Sequence, residues 1–404
     1  MKKIMNNKLL FSVLIFLFSF QIYSQTFTPG ETYFGENEYI EFKAGNIPII
    51  ISAPHGGGLE PLDIPDRDCT GCVYVRDSRT QELIRQLSDA IFVEFGCYPY
   101  IIINRLHRRK LDANRDIGDA ADGDPMAEQA WGEFHDFIQT AKDSITQKFG
   151  KGIYLDLHGH GHDIQRLELG YRISKAKLQM TNSELDGFVN DASIRNLEND
   201  NLNNLPLSQL IRGENSFGEF FQSENFPAVP SQTDPFPIGS EPYFSGGYNT
   251  ERHGSKLGGV IDGIQVECNW DNVRDTESNR EVFATATTQV LKKYFEKHYF
   301  GIDFLNQECG LVSNYNIVEK NDLLSFQISP NPVKDQLALS WKIPIPFSFS
   351  ISIFNKLGQV YYHNNVRELD LDFINISHLP NGLYFIKLEN ENFVSLKKFI
   401  KLDF

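Results

Sequence analysis

Cysteine is scarce in this chain, with five in 404 residues. They are Cys69, Cys72, Cys97, Cys268 and Cys309. A structural zinc site made of thiolates needs two matched pairs, and only Cys69-Thr70-Gly71-Cys72 is closely spaced. That segment is expected to hold a disulfide or free thiols. The odd count leaves at least one thiol unpaired within the chain. Basic residues are also outnumbered: 38 Lys and Arg against 53 Asp and Glu, a formal net charge of -15. Such a balance argues against nucleic acid as the main partner. Beyond the N-terminus no apolar run is long enough to span a bilayer. Internal repeats and low-complexity tracts are missing as well. Histidine numbers only 10, so any crowding of histidines is informative.

The N-terminus reads as a targeting segment. Lys2, Lys3 and Lys8 precede an apolar stretch from Leu9 to Phe20, too short for a comfortable span. Cleavage is expected after Ser24, giving a signal peptide over 1–24. No cysteine follows the apolar stretch, which speaks against a lipid anchor.

Length suggests about two or three domains, and 41% hydrophobic residues suffice for a sizeable core. Strands are expected at Tyr39–Phe42, Ile47–Ser52, Tyr98–Ile103, from Gly152, at Leu167–Ile173 and at Val260–Cys268. Helices are expected at Ser78–Phe95, Pro125–Phe149, Leu207–Phe221 and Ser278–His298. In the first of these, Leu83, Leu87, Ile91 and Phe95 fall on one face. Alternating strands and helices imply an α/β fold: a mixed, mainly parallel sheet with helices on both faces. Residues 301–323 read as a linker. Beyond Leu324 helical patterns vanish, and short strands with Asn331-Pro332, Leu357-Gly358 and Pro380-Asn381-Gly382 turns indicate a small all-β sandwich.

Chemistry concentrates in Asp156-Leu157-His158-Gly159-His160-Gly161-His162, which follows the apolar run Gly152–Leu155. Imidazole and carboxylate are zinc ligands, and strand ends are where open α/β sheets place their sites. The glycines are expected to turn the backbone sharply. His55, in Pro54-His55-Gly56-Gly57, sits past another apolar strand and pairs naturally with His158. A catalytic zinc has three protein ligands and an open position. Asp77 is the expected third ligand, with Glu60 the alternative because it lies nearer His55 in sequence. Glu267, near the end of an apolar strand, is costly to bury unless paired or functional. Burial would raise its pKa and suit it to general base work. The basic cluster from Arg105 to Lys110, with Asp112-Ala113-Asn114-Arg115 after it, could bind an anionic group or an oxyanion. Gly246 to Gly254, with Tyr248 and Arg252, reads as a loop that could cover substrate.

Taken in order, Pro54-His55-Gly56-Gly57, Arg76-Asp77, Asp112-Ala113-Asn114-Arg115, Asp156-Leu157-His158, Gly246-Gly247-Tyr248 and Val266-Glu267 resemble the N-formylglutamate amidohydrolase family. The resemblance spans roughly residues 45 to 295. It implies a zinc carboxypeptidase-like fold and a zinc held by histidine, carboxylate and histidine, here His55, Asp77 or Glu60, and His158. It implies Glu267 as general base and Arg115 on a substrate carboxylate or the scissile carbonyl. The close spacing of histidine and acid in the carboxypeptidases is absent, since Gly58 stands where that acid would fall. His160 and His162 are not required by the pattern. The tail is similar to the C-terminal sorting domain of the type IX secretion system, through Ile328-Ser329-Pro330-Asn331-Pro332, Ile353–Gln359 and Leu379–Tyr384. That likeness implies export through the periplasm to the cell surface or beyond, with the secretion machinery as partner.

The expected organisation is a signal peptide, a catalytic domain over 25–300, a linker and a sorting domain over 324–404. The expected function is a secreted zinc-dependent hydrolase of an N-acylated or formylated amino acid or peptide. Glu267 is its base, Arg115 and Arg108 hold the anionic end or the oxyanion, and Asn114, Tyr248 and Arg252 contact substrate. The rivals are a carboxypeptidase-like or cell-wall peptidase, and a non-catalytic surface module that captures a ligand in the same cleft.

Overall fold

In the computed structural model, the described residues are 27–309, 326–341, 349–355, 358–366, 373–389 and 394–402. The expected signal peptide over 1–24 lies outside them. An eight-stranded mixed sheet organises the first domain: β1 (Thr32–Phe34), β2 (Ile40–Lys43), β3 (Ile49–Ala53), β4 (Tyr100–Asn104), β5 (Gly152–Gly159), β6 (Leu167–Gly170), β7 (Ala228–Val229) and β8 (Ile261–Cys268). Their spatial order is β1-β2-β4-β3-β5-β8-β6-β7. The central four, β4-β3-β5-β8, run parallel. β2 and β6 flank them antiparallel. The parallel core therefore delivers the C-terminal ends of β3, β4, β5 and β8 to one edge of the sheet.

The β-branched run of β3 is buried along its whole length, as a central strand covered on both faces must be. Ile51, Ile153, Leu155 and Leu157 face one core with Leu83, Leu87 and Ile91 of α1 (Thr80–Phe95). Ile50 and Tyr154 face the other core, under Phe134 and Ile138. Each such fully buried aliphatic side chain contributes roughly 1.5–3 kcal/mol by burial. The short helix α2 (Ile117–Ala121) leads into α3 (Pro125–Phe149), the longest helix. Asp124 caps α3 by accepting from the amides of Met126 and Ala127, Pro125 opens it, and Gly150 ends it at φ 77°.

Several elements differ from expectation. β5 does not stop before Asp156; it continues through His158 to Gly159, paired throughout with β8. Gly159 makes no turn. A side chain there would collide with the Arg274 guanidinium, 2.3 Å from the Cβ position. The helix expected over Leu207–Phe221 is two helices, Leu207–Arg212 and Phe217–Ser223, because Ser216 caps the second by accepting from the Glu219 amide. The expected covering loop contains a helix, Tyr248–His253, with Asn249, Thr250 and His253 buried. The first domain also runs past 300. A helix at Phe304–Glu308 packs Leu305 into the core, and Cys309 is disulfide-bonded to Cys97. Cys69 and Cys72 form the second disulfide, leaving Cys268 as the buried free thiol. The rest of the expected linker lies outside the described residues.

The tail holds two antiparallel sheets built from β9 (Phe326–Ser329), β10 (Gln336–Trp341), β11 (Phe349–Asn355), β12 (Val360–Val366), β13 (Phe373–Asn375), β14 (Gly382–Glu389) and β15 (Val394–Lys401). Their orders are β13-β10-β9 and β12-β11-β14-β15. They share a core that includes Leu337, Ile351, Ile386 and Phe399. Lys397 and Lys398 lie on β15.

Candidate metal centre

Three chain segments meet at the strand ends. His55 follows β3, and Asp77 is held beside it because its amide donates to the His55 carbonyl at 3.0 Å. Asp77 also precedes α1, where the Thr80 hydroxyl donates to its carbonyl at 2.8 Å. His158 comes up on β5. The ligating atoms of His55, Asp77 and His158 lie within 4.8 Å of one another, and all three residues are buried. Asp77 Oδ2 is 3.0 Å from His158 Nδ1 and 3.5 Å from His55 Nδ1.

The outer nitrogens are fixed. His55 Nε2 donates to Asp112 Oδ1 at 2.6 Å. His158 Nε2 donates to Asp156 Oδ2 at 3.0 Å. Asp156 in turn accepts from the Ser52 hydroxyl at 2.7 Å and from the Tyr154 hydroxyl at 3.0 Å. Carboxylates behind imidazoles are how metal-binding histidines are oriented and made more basic. The inner nitrogen of His55, Nδ1, is buried with no hydrogen-bond partner among the described residues. A buried ring nitrogen without a partner beside a carboxylate fits a metal ligand.

Electrostatics agree with this fit. Burial acts to raise the Asp77 pKa, but the neighbouring His158 and His55 outweigh it and hold the carboxyl well below the usual range. Asp112 is likewise held low: burial opposes, while His55 and Arg108 prevail. Burial disfavours the His158 cation, yet Asp156 and Asp77 push its pKa well above the ordinary value. Arg108 compensates Asp112 at 3.0 Å, whereas Asp77 and Asp156 face the two imidazoles and would accept further positive charge. A bound divalent cation would supply it, and this nitrogen and oxygen donor set suits zinc.

Glu267, on β8, stands beside His158 of β5 in parallel register. Burial pushes its carboxyl up to about 7. Its Oε1 accepts from Gln265 Nε2 at 2.7 Å, and Gln265 Oε1 accepts from the Gly247 amide at 2.6 Å. Arg274 staples the strand ends together, donating to Cys268 O, His160 O and Ser78 O.

The remaining expected residues fall in varied places. Glu60 turns away to Arg109 and His107, so it does not join the histidines. Arg108 spends its Nε on Asp112 Oδ2 at 3.0 Å and lies 3.9 Å from Asp77. It steadies the carboxylates. Asn114 is buried. Its Oδ1 accepts from the Asn249 amide at 2.8 Å, and its Nδ2 lies 3.3 Å from His158 Nε2. It holds neighbours in place. Arg115 donates to its neighbour Asn114 O and is half-buried, close enough to Asp112 to act on its charge. Arg252 is exposed, lies over the Trp131 ring at 5.2 Å and donates to the Tyr248 hydroxyl at 3.1 Å. Gly56 and Gly57 lie close against neighbouring segments: a side chain on Gly57 would strike Leu106 O at 2.1 Å, and one on Gly56 the Thr80 hydroxyl at 2.4 Å.

Sequence reasoning left Asp112, Gln265, Arg274 and Asn249 without a role. Asp156 was legible only as part of the histidine stretch. Its two-residue spacing from His158 on one strand places both side chains on one face, a signal that was there to be used. The buried pair His135 and His253, with Nδ1 to Nε2 at 2.8 Å, had no sequence signal.

Residues 327–402 match the family model of the secretion system C-terminal sorting domain. The tail is such a domain. It marks the chain for export by the type IX secretion system to the cell surface or outside. No curated protein matches the chain. Among solved structures, the chain is similar to N-formylglutamate amidohydrolase from Ralstonia eutropha JMP134, at 12% identity and a TM-score of 0.37, over 63% of this chain and 96% of that one. No helix among the described residues is long and apolar enough to cross a membrane.

Proposed function

We propose that this exported chain is a zinc-dependent hydrolase that cleaves the amide bond of an N-acylated or formylated amino acid or a peptide. The observation that carries this reading is the convergence of His55 Nδ1, Asp77 Oδ2 and His158 Nδ1, each outer nitrogen locked by a carboxylate, beside the buried Glu267. Zinc held there would polarise the scissile carbonyl and lower the pKa of an attacking water.

The chain's own groups do the rest. Asp112 and Asp156 hold the two imidazoles in one tautomer and orientation. Glu267, with a pKa raised by burial to about 7, is half-ionised near neutrality and suited to take a proton and return it to the leaving nitrogen. Gln265 fixes the Glu267 carboxylate. Arg115 and Arg252 supply positive charge for an anionic substrate end.

The test is hydrolysis of a panel of N-formyl and N-acyl amino acids and short peptides by the full chain, with zinc and after chelation. Zinc-dependent turnover, abolished in Glu267→Gln, is the expected result. Turnover that survives both chelation and the substitution would refute the reading.

A further inference from the structure

His160, His162 and Glu168 form a second convergent group. Their ligating atoms also lie within 4.8 Å of one another. His160 sits just past β5, its amide donating to Cys268 O at 3.0 Å. Glu168 is on β6, beside Glu267 in antiparallel register, and Glu267 is beside His158. Two strand spacings, about 10 Å, therefore separate Glu168 from the first centre.

The charge of Glu168 is not balanced by any fixed cation in its contacts. The residue is 1% exposed, and a buried carboxylate is costly unless compensated. Its Oε2 accepts from the Phe244 amide at 2.7 Å, and its Oε1 lies 2.7 Å from His162 Nδ1. Arg166, two residues earlier, turns instead to Asp234 and Glu241.

The imidazoles are set from outside. His160 Nε2 donates to the Arg166 carbonyl at 2.9 Å, so Nδ1 carries the lone pair; it accepts from the His162 amide at 3.1 Å, a bond that a metal ligand there would replace. The His162 ring stacks on Phe244 at 4.9 Å. As in the first centre, the outer nitrogen of one imidazole is held by a protein group and a buried carboxylate oxygen lies at a ring nitrogen of the other.

We propose that His160, His162 and Glu168 form a second metal site, for a divalent ion of the zinc class. Two imidazoles and a carboxylate are a zinc donor set. The ion compensates Glu168 and fastens the segment 160–168 to the sheet, on the far side of Glu267 from the first centre. The site does not depend on the first centre being occupied.

Zinc content of the full chain, by elemental analysis after loading with zinc and removal of excess, tests this. The parent should carry about two zinc per chain. Glu168→Gln, close in shape, and His162→Ala, a change at a partly exposed ring, should each lose about one. His55→Ala should also lose about one, and its double variant with Glu168→Gln should lose both. Parent-level zinc in both Glu168→Gln and His162→Ala would overturn the second site. Parent-level zinc in His55→Ala together with loss in Glu168→Gln would leave the second site standing and remove the first.

Discussion

Asp262 begins β8 and Glu267 nearly ends it. Both carboxylates are buried, and burial raises both: Asp262 to about 6 and Glu267 to about 7. Their surroundings differ. Asp262 accepts from the Ser255 hydroxyl at 2.7 Å, the Leu197 amide at 3.0 Å, the Tyr299 hydroxyl at 3.1 Å and Asn196 Nδ2 at 3.4 Å. Glu267 accepts from Gln265 Nε2 and otherwise looks toward His158, Asp77 and Glu168. A raised pKa is common to the two, so it does not separate a structural acid from a reactive one. The number and kind of partners does. Asp262 is surrounded by donors that tie two segments to the N-terminal end of β8. Glu267 keeps bonding capacity at the end where the histidines are.

The comparison can be broken at either end of the strand. The largest effect is expected at Glu267. Glu267→Gln should lower kcat by roughly 10²–10⁴, the usual contribution of a positioned base, while zinc content and melting temperature stay near those of the parent. Next come the carboxylates behind the histidines. Asp112→Asn or Asp156→Asn should weaken zinc affinity about 10–100-fold, measured by competition with a chelator.

Asp262→Asn should do the reverse of Glu267→Gln. It should cost about 1–3 kcal/mol of stability by setting an amide against donors, with kcat per folded molecule unchanged. Its pH signature has a definite sign. Between the ordinary carboxylate pKa and about 6, the folded chain binds more protons at Asp262 than the unfolded chain does. Stability from this group is therefore lost as pH rises through that window. Thermal melts of Asp262→Asn should show a flatter fall over the same range. The smallest effect is expected at exposed Arg252, whose stacking on Trp131 is worth about 0.5–1 kcal/mol. Arg252→Ala should raise KM for an anionic substrate with little change in kcat.

Much of the frame was legible in the residues. Apolar runs marked β3, β4, β5 and β8, and apolar residues four apart marked α1. His55 and His158 stood out because histidine is rare here and both lie where apolar strands end. Glu267 stood out as a charge in an apolar run. The site's inner logic was not legible, because it depends on partners far apart in sequence. His55 meets Asp112 and Asp77 only once β4 and the start of α1 pack at the same edge. Gly159 read as a turn, whereas it makes room for Arg274. The choice between Asp77 and Glu60 followed sequence distance poorly: the nearer acid points to Arg109, and the farther one is brought in by the loop before α1. In the tail, the lysine pair hid β15, since strand alternation there is broken by charge.

The most direct test is zinc content of the purified full chain beside that of His158→Ala, which lies outside the second group. The account predicts that His158→Ala carries about one zinc per chain fewer than the parent. Equal zinc in the two proteins would contradict it.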